Sequence, residues 1–411
     1  PKDKVSSVVE MVDSTRFLKI CTTNSTKIYK YVPLNKNMLE RYLAEKKEEI
    51  KSFDVKERQI EFPLTYFGLS IVGPRRAGKT FSIFSFIKRR QLKDEDYIFI
   101  NYEDDEIKRL ERSRKVKIID KHVEMYKKQP KFVFLDEIHA LERWQSFVYS
   151  LIEKKRYHLF ITGSTSKLLS KEIATQLRGR VVSVPVFPFS FKEYLGVKGI
   201  KFSPPFSSST ISTLKGFLRE YLLTTGFPPV IIDRLNPKVF FRDYVNVVIF
   251  RDIVERYKVK NIYALRFLVN SMVASFSNKF SVNKVFNELG SMGVKTGKTA
   301  LYNYASFLED VMFSFLLKKF YFSERKSALS IPKVYLCDLG LANYLAGTKF
   351  SEDIGKAMEN VVFVQLKKKE LSGEIDLFYW ESRTHEVDFV IKEGLNIRRL
   401  IQVTYAEERD E

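Results

Sequence analysis

The sequence predicts an α/β protein: a five-stranded parallel sheet with a phosphate-binding edge, then a largely helical middle, then a mixed helix–strand end. Three observations predict it. Short apolar runs rich in Ile, Val, Phe and Tyr recur at 65–73, 97–103, 131–137, 158–164 and 180–187, separated by charged segments of helix length. Near-continuous apolar strands alternating with helices belong to parallel sheets, which bind ligands at the carboxyl ends of their strands. The first run passes directly into a glycine-bearing turn, GPRRAGKTF (73–81), and from about 214 to 310 helical periodicity takes over.

Composition narrows the function classes. A chain of 411 residues with 45% apolar and 29% charged residues has enough apolar surface for several cores and is not disordered. Even its most apolar stretch, 237–254, carries Arg242, Asp243, Arg251 and Asp252, so no membrane span is expected. Two cysteines, Cys21 and Cys337, and four scattered histidines fit neither a disulfide framework nor a zinc cluster. No secretory signal is read at the N-terminus, and the expected location is cytoplasmic. The net charge of +20 points to nucleic acid as a partner through phosphate neutralisation. General lysine richness, as in heat-adapted proteins, is the plain alternative.

Taken in order, residues 1–60 are polar and mixed, with a charged helix expected over 38–58. The turn at 73–81 then satisfies G-x4-G-K-[ST] through Gly73, Gly78, Lys79 and Thr80, at the strand-to-helix junction that the pattern requires. Its backbone N–H groups, from Gly73, Pro74, Arg75, Arg76, Ala77, Gly78, Lys79, Thr80 and Phe81 (proline contributing none), would curl around a β-phosphate at the helix start. Lys79 would charge-pair the β and γ phosphates, and the Thr80 hydroxyl would join a Mg2+ shell. A second Gly-Lys-Thr, in GVKTGKTA (293–300), has Met292 in place of the first glycine and follows a helical stretch. It reads as a helix–helix turn with Thr299 near a helix start.

KFVFLDEIH supplies the second half of an ATPase signature. Asp136 ends a strand 56 residues after Thr80, with one strand between, and would hold Mg2+. Glu137 is placed to orient or deprotonate the attacking water. HLFITGSTS ends a fourth strand with Thr162 and Ser164, either sensors of the γ-phosphate or merely a polar strand end. Arg178 and Arg180 precede the fifth strand; each is an arginine finger, for its own site or a neighbour's, or a solvated helix-end residue. SPPFSSSTIST (203–213) reads as a loop or linker.

GPRRAGKT, FLDEIH, ITGSTSKLLSKE, LRGR, PFSFKEYL, TGFP and RDI, in this order, resemble a prokaryotic and notably archaeal group of AAA-type P-loop ATPases, over about 40–411. The resemblance implies an N-terminal extension (1–60), an ATPase core (61–200), a helical lid (201–261), a winged helix (262–338) and a domain related to PD-(D/E)xK nucleases (339–411), which the family carries further. It implies ATP/ADP and Mg2+ as cofactors, Ser164 as a sensor, and Arg180, with Arg178 beside it, as the arginine reading the γ-phosphate within a homo-oligomer. It also sets Gly226, Phe227 and Pro228 near the adenine, although a plain helix-breaking turn explains the same residues.

In the winged-helix stretch, NIYALRFLVNSMVAS (261–275) reads as a first helix, Ser281 caps a second, and TALYNYASFLED has the spacing of a recognition helix; two strands joined by a basic wing should follow. Residues 281–333 hold eight basic and four acidic side chains, an excess suited to phosphates. At the end, a helix bears Glu359, a strand bears Asp388, and LIQVTY reads as the next strand with Gln402 and Thr404 on one face. Nucleases of this kind use a helix Glu, a strand Asp, an acid and a Lys. Gln402 stands at the acid position and Thr404 at the lysine position, so Lys392 would have to substitute and cleavage should be weak or absent. The expected function is a Mg2+-dependent ATPase whose nucleotide cycle changes how the winged helix and nuclease-like domain engage DNA. An ATP-gated switch with protein partners and an ATP-stimulated nuclease are the alternatives.

Overall fold

The structure is a computed structural model that describes residues 8–12, 17–22, 25–30, 38–163, 177, 179–345 and 354–404. Ser164 and Arg178 lie outside the described residues. Within the stretch read as a polar extension, three strands, β1 (Val8–Val12), β2 (Phe17–Thr22) and β3 (Ser25–Lys30), form an antiparallel meander. Strands of five or six residues give too short an alternation to stand out against mixed polar sequence.

The helix α1 (Met38–Ser52) leads into the predicted sheet. Its strands are β4 (Gly68–Val72), β5 (Tyr97–Asn101), β6 (Phe132–Asp136), β7 (His158–Thr162) and β8 (Val181–Pro185), with α2 (Lys79–Arg89) following β4. All pairings are parallel, in the order β5-β6-β7-β4-β8. The first strand in sequence is therefore spatially between the fourth and the fifth. Such an inserted strand brings the carboxyl ends of β4, β6 and β7 to one crevice, where α/β sheets bind ligands.

Both sheet faces are buried, and the alternation along each strand sorts them. Phe99, Phe134 and Phe160 face α2, joining Phe84, Phe86 and Phe62 in an aromatic cluster. Ile98, Ile100, Val133, Leu135, Leu159 and Ile161 enter the larger core on the other face. Tilted and edge-on ring pairs at about 5–6 Å add directional packing to that first face.

Beyond the sheet come α3 (Phe191–Val197) and α4 (Ser208–Leu223). The helix α4 begins inside the stretch read as a linker. The Ser207 hydroxyl accepts the Thr210 N–H and caps it, so the serine run that signals a loop is here a helix start. The next helix, α5 (Pro237–Val247), runs into a π-helical turn, Val248–Val254.

There follow α6 (Ile262–Ala274), β9 (Asn278–Lys279), α7 (Val282–Ser291), α8 (Lys298–Asp310), β10 (Ser314–Leu317) and β11 (Lys333–Leu336), the strands pairing antiparallel as β10-β11-β9. Ser281 caps α7 through the Lys284 N–H, as its sequence suggests. The link between β10 and β11 is not a bare wing: it contains the short helix Glu324–Leu329, capped by Ser323.

The chain ends in α9 (Ile354–Leu371) and an antiparallel meander of β12 (Asp376–Glu381), β13 (Glu386–Glu393) and β14 (Asn396–Ile401). Because β14 stops at Ile401, Gln402 and Thr404 follow the strand and do not share a strand face; both are exposed. The ring of Tyr335 on β11 stacks on Phe363 of α9 at 4.1 Å and 7°. The β9–β11 sheet is thereby packed into the core of the terminal elements.

Candidate nucleotide site and a second carboxylate cluster

The loop after β4 needs glycine at two points for different reasons. A Cβ on Gly73 would sit 1.9 Å from the Val186 carbonyl oxygen, so no side chain fits there. Gly78 has φ 91°, a left-handed conformation that turns the backbone into α2. Lys79, buried at the start of α2, donates to the Gly73 and Pro74 carbonyls at 2.9 and 3.2 Å. Burial pushes its ammonium below the usual lysine range, against the pull of Glu137 and Asp136. Phe81 places its ring edge-on to Phe53, 5.3 Å away.

Asp136 closes the facing side. Its carboxylate is buried, accepts the Thr80 hydroxyl at 2.9 Å (Oδ2) and 3.1 Å (Oδ1), and accepts the Thr162 hydroxyl at 2.5 Å. Burial, reinforced by the Glu137 charge, pushes its pKa up to about 7, although both threonines favour the ionised form. Thr162 also accepts the Glu137 backbone N–H at 3.0 Å, so one hydroxyl ties both acids to β7. Glu137 holds a left-handed backbone, φ 48°, uncommon for a non-glycine residue. Burial works to raise its carboxyl, but the His139 hydrogen bond and the charges of Lys79 and Arg75 outweigh it, leaving the group below its usual range.

Further contacts complete the site, some of them through side chains that the sequence did not single out. Arg58, buried, donates to the Ala77 carbonyl (2.9 Å), the Phe187 carbonyl (2.7 Å) and Glu193 Oε1 (2.8 Å). Glu193 also closes a capping box with Ser190 on α3. The S-x-x-E pattern in SFKE signals that cap; nothing local signals the arginine 135 residues away. From the helical region, Asp252 grips Arg75 with two bonds of 2.7 and 2.9 Å, and Arg76 lies over the Phe240 ring at 5.5 Å. Pro228 is close enough that a Cβ on Gly78 would meet its Cγ at 3.7 Å. Asp338, buried beyond β11, accepts the Thr225 hydroxyl and the N–H groups of Gly226 and Gly340, fastening the TGFP turn. Burial raises its pKa to about 6.

Arg180 does not join this constellation. It precedes β8, its carbonyl accepts the Gly68 N–H at the start of β4, and its guanidinium pairs with Glu153 and covers the Tyr149 ring. The phosphate loop lies at the other end of β4, about 16 Å away at the rise of a five-residue strand. That placement does not bring Arg180 to the phosphate loop of its own chain.

In the C-terminal elements Glu359 and Asp388 do come together, around a lysine that the sequence did not single out. Lys333 Nζ on β11 lies 3.0 Å from Glu359 Oε1, 3.3 Å from Asp388 Oδ1 and 2.5 Å from Glu386 Oε1. The Tyr335 hydroxyl also donates to Glu359, and the Val403 N–H to Asp388 at 2.9 Å. Lys333 is held above the ordinary lysine range: burial opposes its charge, but Glu359 and Glu386 overcome that. Gln402 lines the same opening, with Lys279 and Lys356. Lys392 is not part of it; it lies four residues along β13 from Asp388, about 13 Å, opposite Asp376 and Ile397.

A parallel sheet with an inserted first strand, a G-x4-G-K-T loop at its carboxyl edge and an Asp-Glu pair two strands away defines the class as a P-loop NTPase. Residues 67–195 match the AAA domain family, and 216–352 match a domain of unknown function. An uncharacterized protein of Methanocaldococcus jannaschii is 34% identical over 373 residues, covering 90% of this chain and 82% of that protein. This chain belongs to the same family, one of AAA-type P-loop ATPases. An uncharacterized protein of Haemophilus influenzae is 26% identical over 343 residues, covering 82% of each. Among solved structures, the Walker-type ATPase of Pyrococcus abyssi aligns with a TM-score of 0.42 at 13% identity, over 76% of this chain and 95% of that one. Among the described residues no helix is long and apolar enough to cross a membrane.

Proposed function

We propose that this chain is a Mg2+-dependent ATPase whose nucleotide cycle alters how residues 262–404 engage DNA. The observation that carries the ATPase half is the Thr80–Asp136 contact beside Lys79, with Glu137 next in sequence. A hydroxyl and a carboxylate are hard oxygen donors suited to Mg2+, and burial beside Glu137 raises the Asp136 carboxyl to about 7, a cost that a nearby cation would offset. Thr80 and Asp136 would hold the ion, which would supply positive charge to offset that of the phosphates. The chain's own groups do the remaining work. Lys79 leaves its loop carbonyls for the β and γ phosphates, the loop N–H groups cradle them, and Pro228 closes over Gly78. Glu137 accepts the proton of the attacking water, its lowered pKa keeping it ionised at neutral pH.

Arg180, at the far edge of the sheet, fits a finger only for a neighbouring copy, which favours a homo-oligomer. For DNA, the support is the charge of +20 and the helix–strand–helix–helix–hairpin order of 262–336, the order of a winged helix. Lys318, Lys319, Arg325 and Lys326 fall on its hairpin link. In the terminal domain Lys333 lies between the two acids, either as a cation that neutralises them in a nuclease-like fold that does not cleave or as the lysine of one that does.

The test is ATP turnover with Mg2+. Glu137→Gln should retain ATP while losing roughly a hundredfold or more of the rate. Unchanged turnover in that variant would remove Glu137 from the mechanism. Retention on DNA that falls with salt and differs between ATP and ADP supports the DNA half; salt-insensitive, nucleotide-blind retention would overturn it.

A further inference from the structure

Resting on that ATPase reading, we propose that the π-helical turn Val248–Val254 grips the binding half and the hydrolytic half of the nucleotide site separately, and that Arg251 and His139 are positioning residues for Glu137. Two consecutive residues of the turn contact different parts of the core. Asp252 holds Arg75 of the phosphate loop with its two-bond grip. Arg251 donates to Glu103 Oε1 at 2.9 Å, across 148 residues of chain. Glu103, two residues past β5, faces His139 Nε2 at 3.7 Å, and His139 Nδ1 lies 3.2 Å from Glu137 Oε2.

The chain of contacts therefore runs from the helical region through Arg251, Glu103 and His139 to the carboxylate that must meet water. Thr162 fixes only the backbone N–H of Glu137. Its carboxylate meets His139, and His139 in turn faces an acid that Arg251 holds. A π turn inserts an extra residue into the helix, re-aiming the side chains beside it, and is a recurrent feature of functional sites.

The two contacts differ in burial, which separates their consequences. The Arg251 side chain is 53% exposed, so its pair with Glu103 adds little to stability. Its value is orientation: hydrolysis proceeds only while the helical region is seated on the core. Asp252 and Arg75 are more enclosed, at 12% and 29%, and their pair shapes the loop that receives the phosphates. Turnover is thus assigned to Arg251 and nucleotide affinity to Asp252.

Steady-state ATP hydrolysis by the full chain tests this, with nucleotide affinity and thermal melting measured on the same preparations. Arg251→Ala and Glu103→Gln should each lower kcat by about tenfold, within the roughly hundredfold that a misplacement of about 1 Å costs, with KM within about twofold of wild type. The double variant should be no slower than either single one, since both break the same chain of contacts. Arg251→Lys should recover part of the loss. Asp252→Asn should weaken nucleotide binding, read as a raised dissociation constant for ATP. Wild-type kcat in Arg251→Ala, or losses that multiply in the double variant, would overturn the inference while leaving the ATPase reading intact. A wild-type protein that binds ATP and never hydrolyses it would overturn both.

Discussion

Lys79 and Lys333 are both buried beside two or more carboxyl groups, yet they stand in opposite electrostatic situations. Lys79 spends its hydrogen bonds on loop carbonyls and is destabilised as a cation; its neighbour Asp136 is pushed up to about 7. Lys333 meets three carboxylates and is held above its usual range. In the first place the charges remain without full compensation inside the protein, and a phosphate and a cation would supply it. In the second a counter-charge is supplied from within the protein, although burial still raises Glu359. Buried charge marks a ligand site only where the fold leaves it unpaired.

The largest expected effect breaks the lysine–carboxylate cluster. Lys333→Met leaves Glu359 and Asp388 buried without a counter-charge and should cost about 3–5 kcal/mol of stability at pH 7, read from denaturant melts. Adding Glu359→Gln and Asp388→Asn should restore most of it, because a neutral, hydrogen-bonded cluster removes the burial penalty as well. If the triple variant is as unstable as the single one, the lysine matters for packing and the comparison fails.

The next effect is pH-dependent and belongs to the open site. Asp136 binds its proton more tightly folded than unfolded, so its contribution is greatest below its unfolded pKa and is lost as pH rises through about 7. Without nucleotide, Asp136→Asn should gain on wild type between pH 5 and pH 8 by on the order of 2 kcal/mol. A stability difference that stays flat across that range would show that Asp136 is already compensated.

A smaller effect concerns the tie between the TGFP turn and the end of β11. Asp338→Asn turns one acceptor toward Gly226 into a donor and should cost about 1–3 kcal/mol in thermal melts at pH 8. Less would be lost at pH 5, where the wild-type carboxyl, with its pKa of about 6, is itself largely protonated. The smallest shift should come from Lys79→Met. It removes a buried cation bonded only to backbone carbonyls, so the melting temperature without nucleotide should stay level or rise while ATP binding, followed by calorimetry, is lost. A marked fall in melting temperature would place Lys79 with Lys333 as a structural cation.

The two sites were also unequally legible. The loop 73–81 and the pair Asp136–Glu137 could be read directly, because phosphate binding at a strand–helix turn demands fixed residue types at fixed short spacings. The terminal acids were legible by type, but the lysine among them was sought at Thr404 or Lys392 and comes instead from β11, which the boundary at 338 had assigned to the preceding domain. Arg58 was not singled out, and Arg251, although part of the RDI motif, gave no sign of its partner, for the same reason: the partners lie 135 and 148 residues away.

By itself the sequence determined the five strands, through their apolar runs, and the chemistry at the phosphate edge, through a local motif. Strand order, the far-edge position of Arg180 and the pairing of each buried charge were decided only by the tertiary structure. Local patterns follow from backbone period and turn geometry over a few residues. Which distant charges meet depends on how whole elements pack, and no short stretch of sequence carries that information.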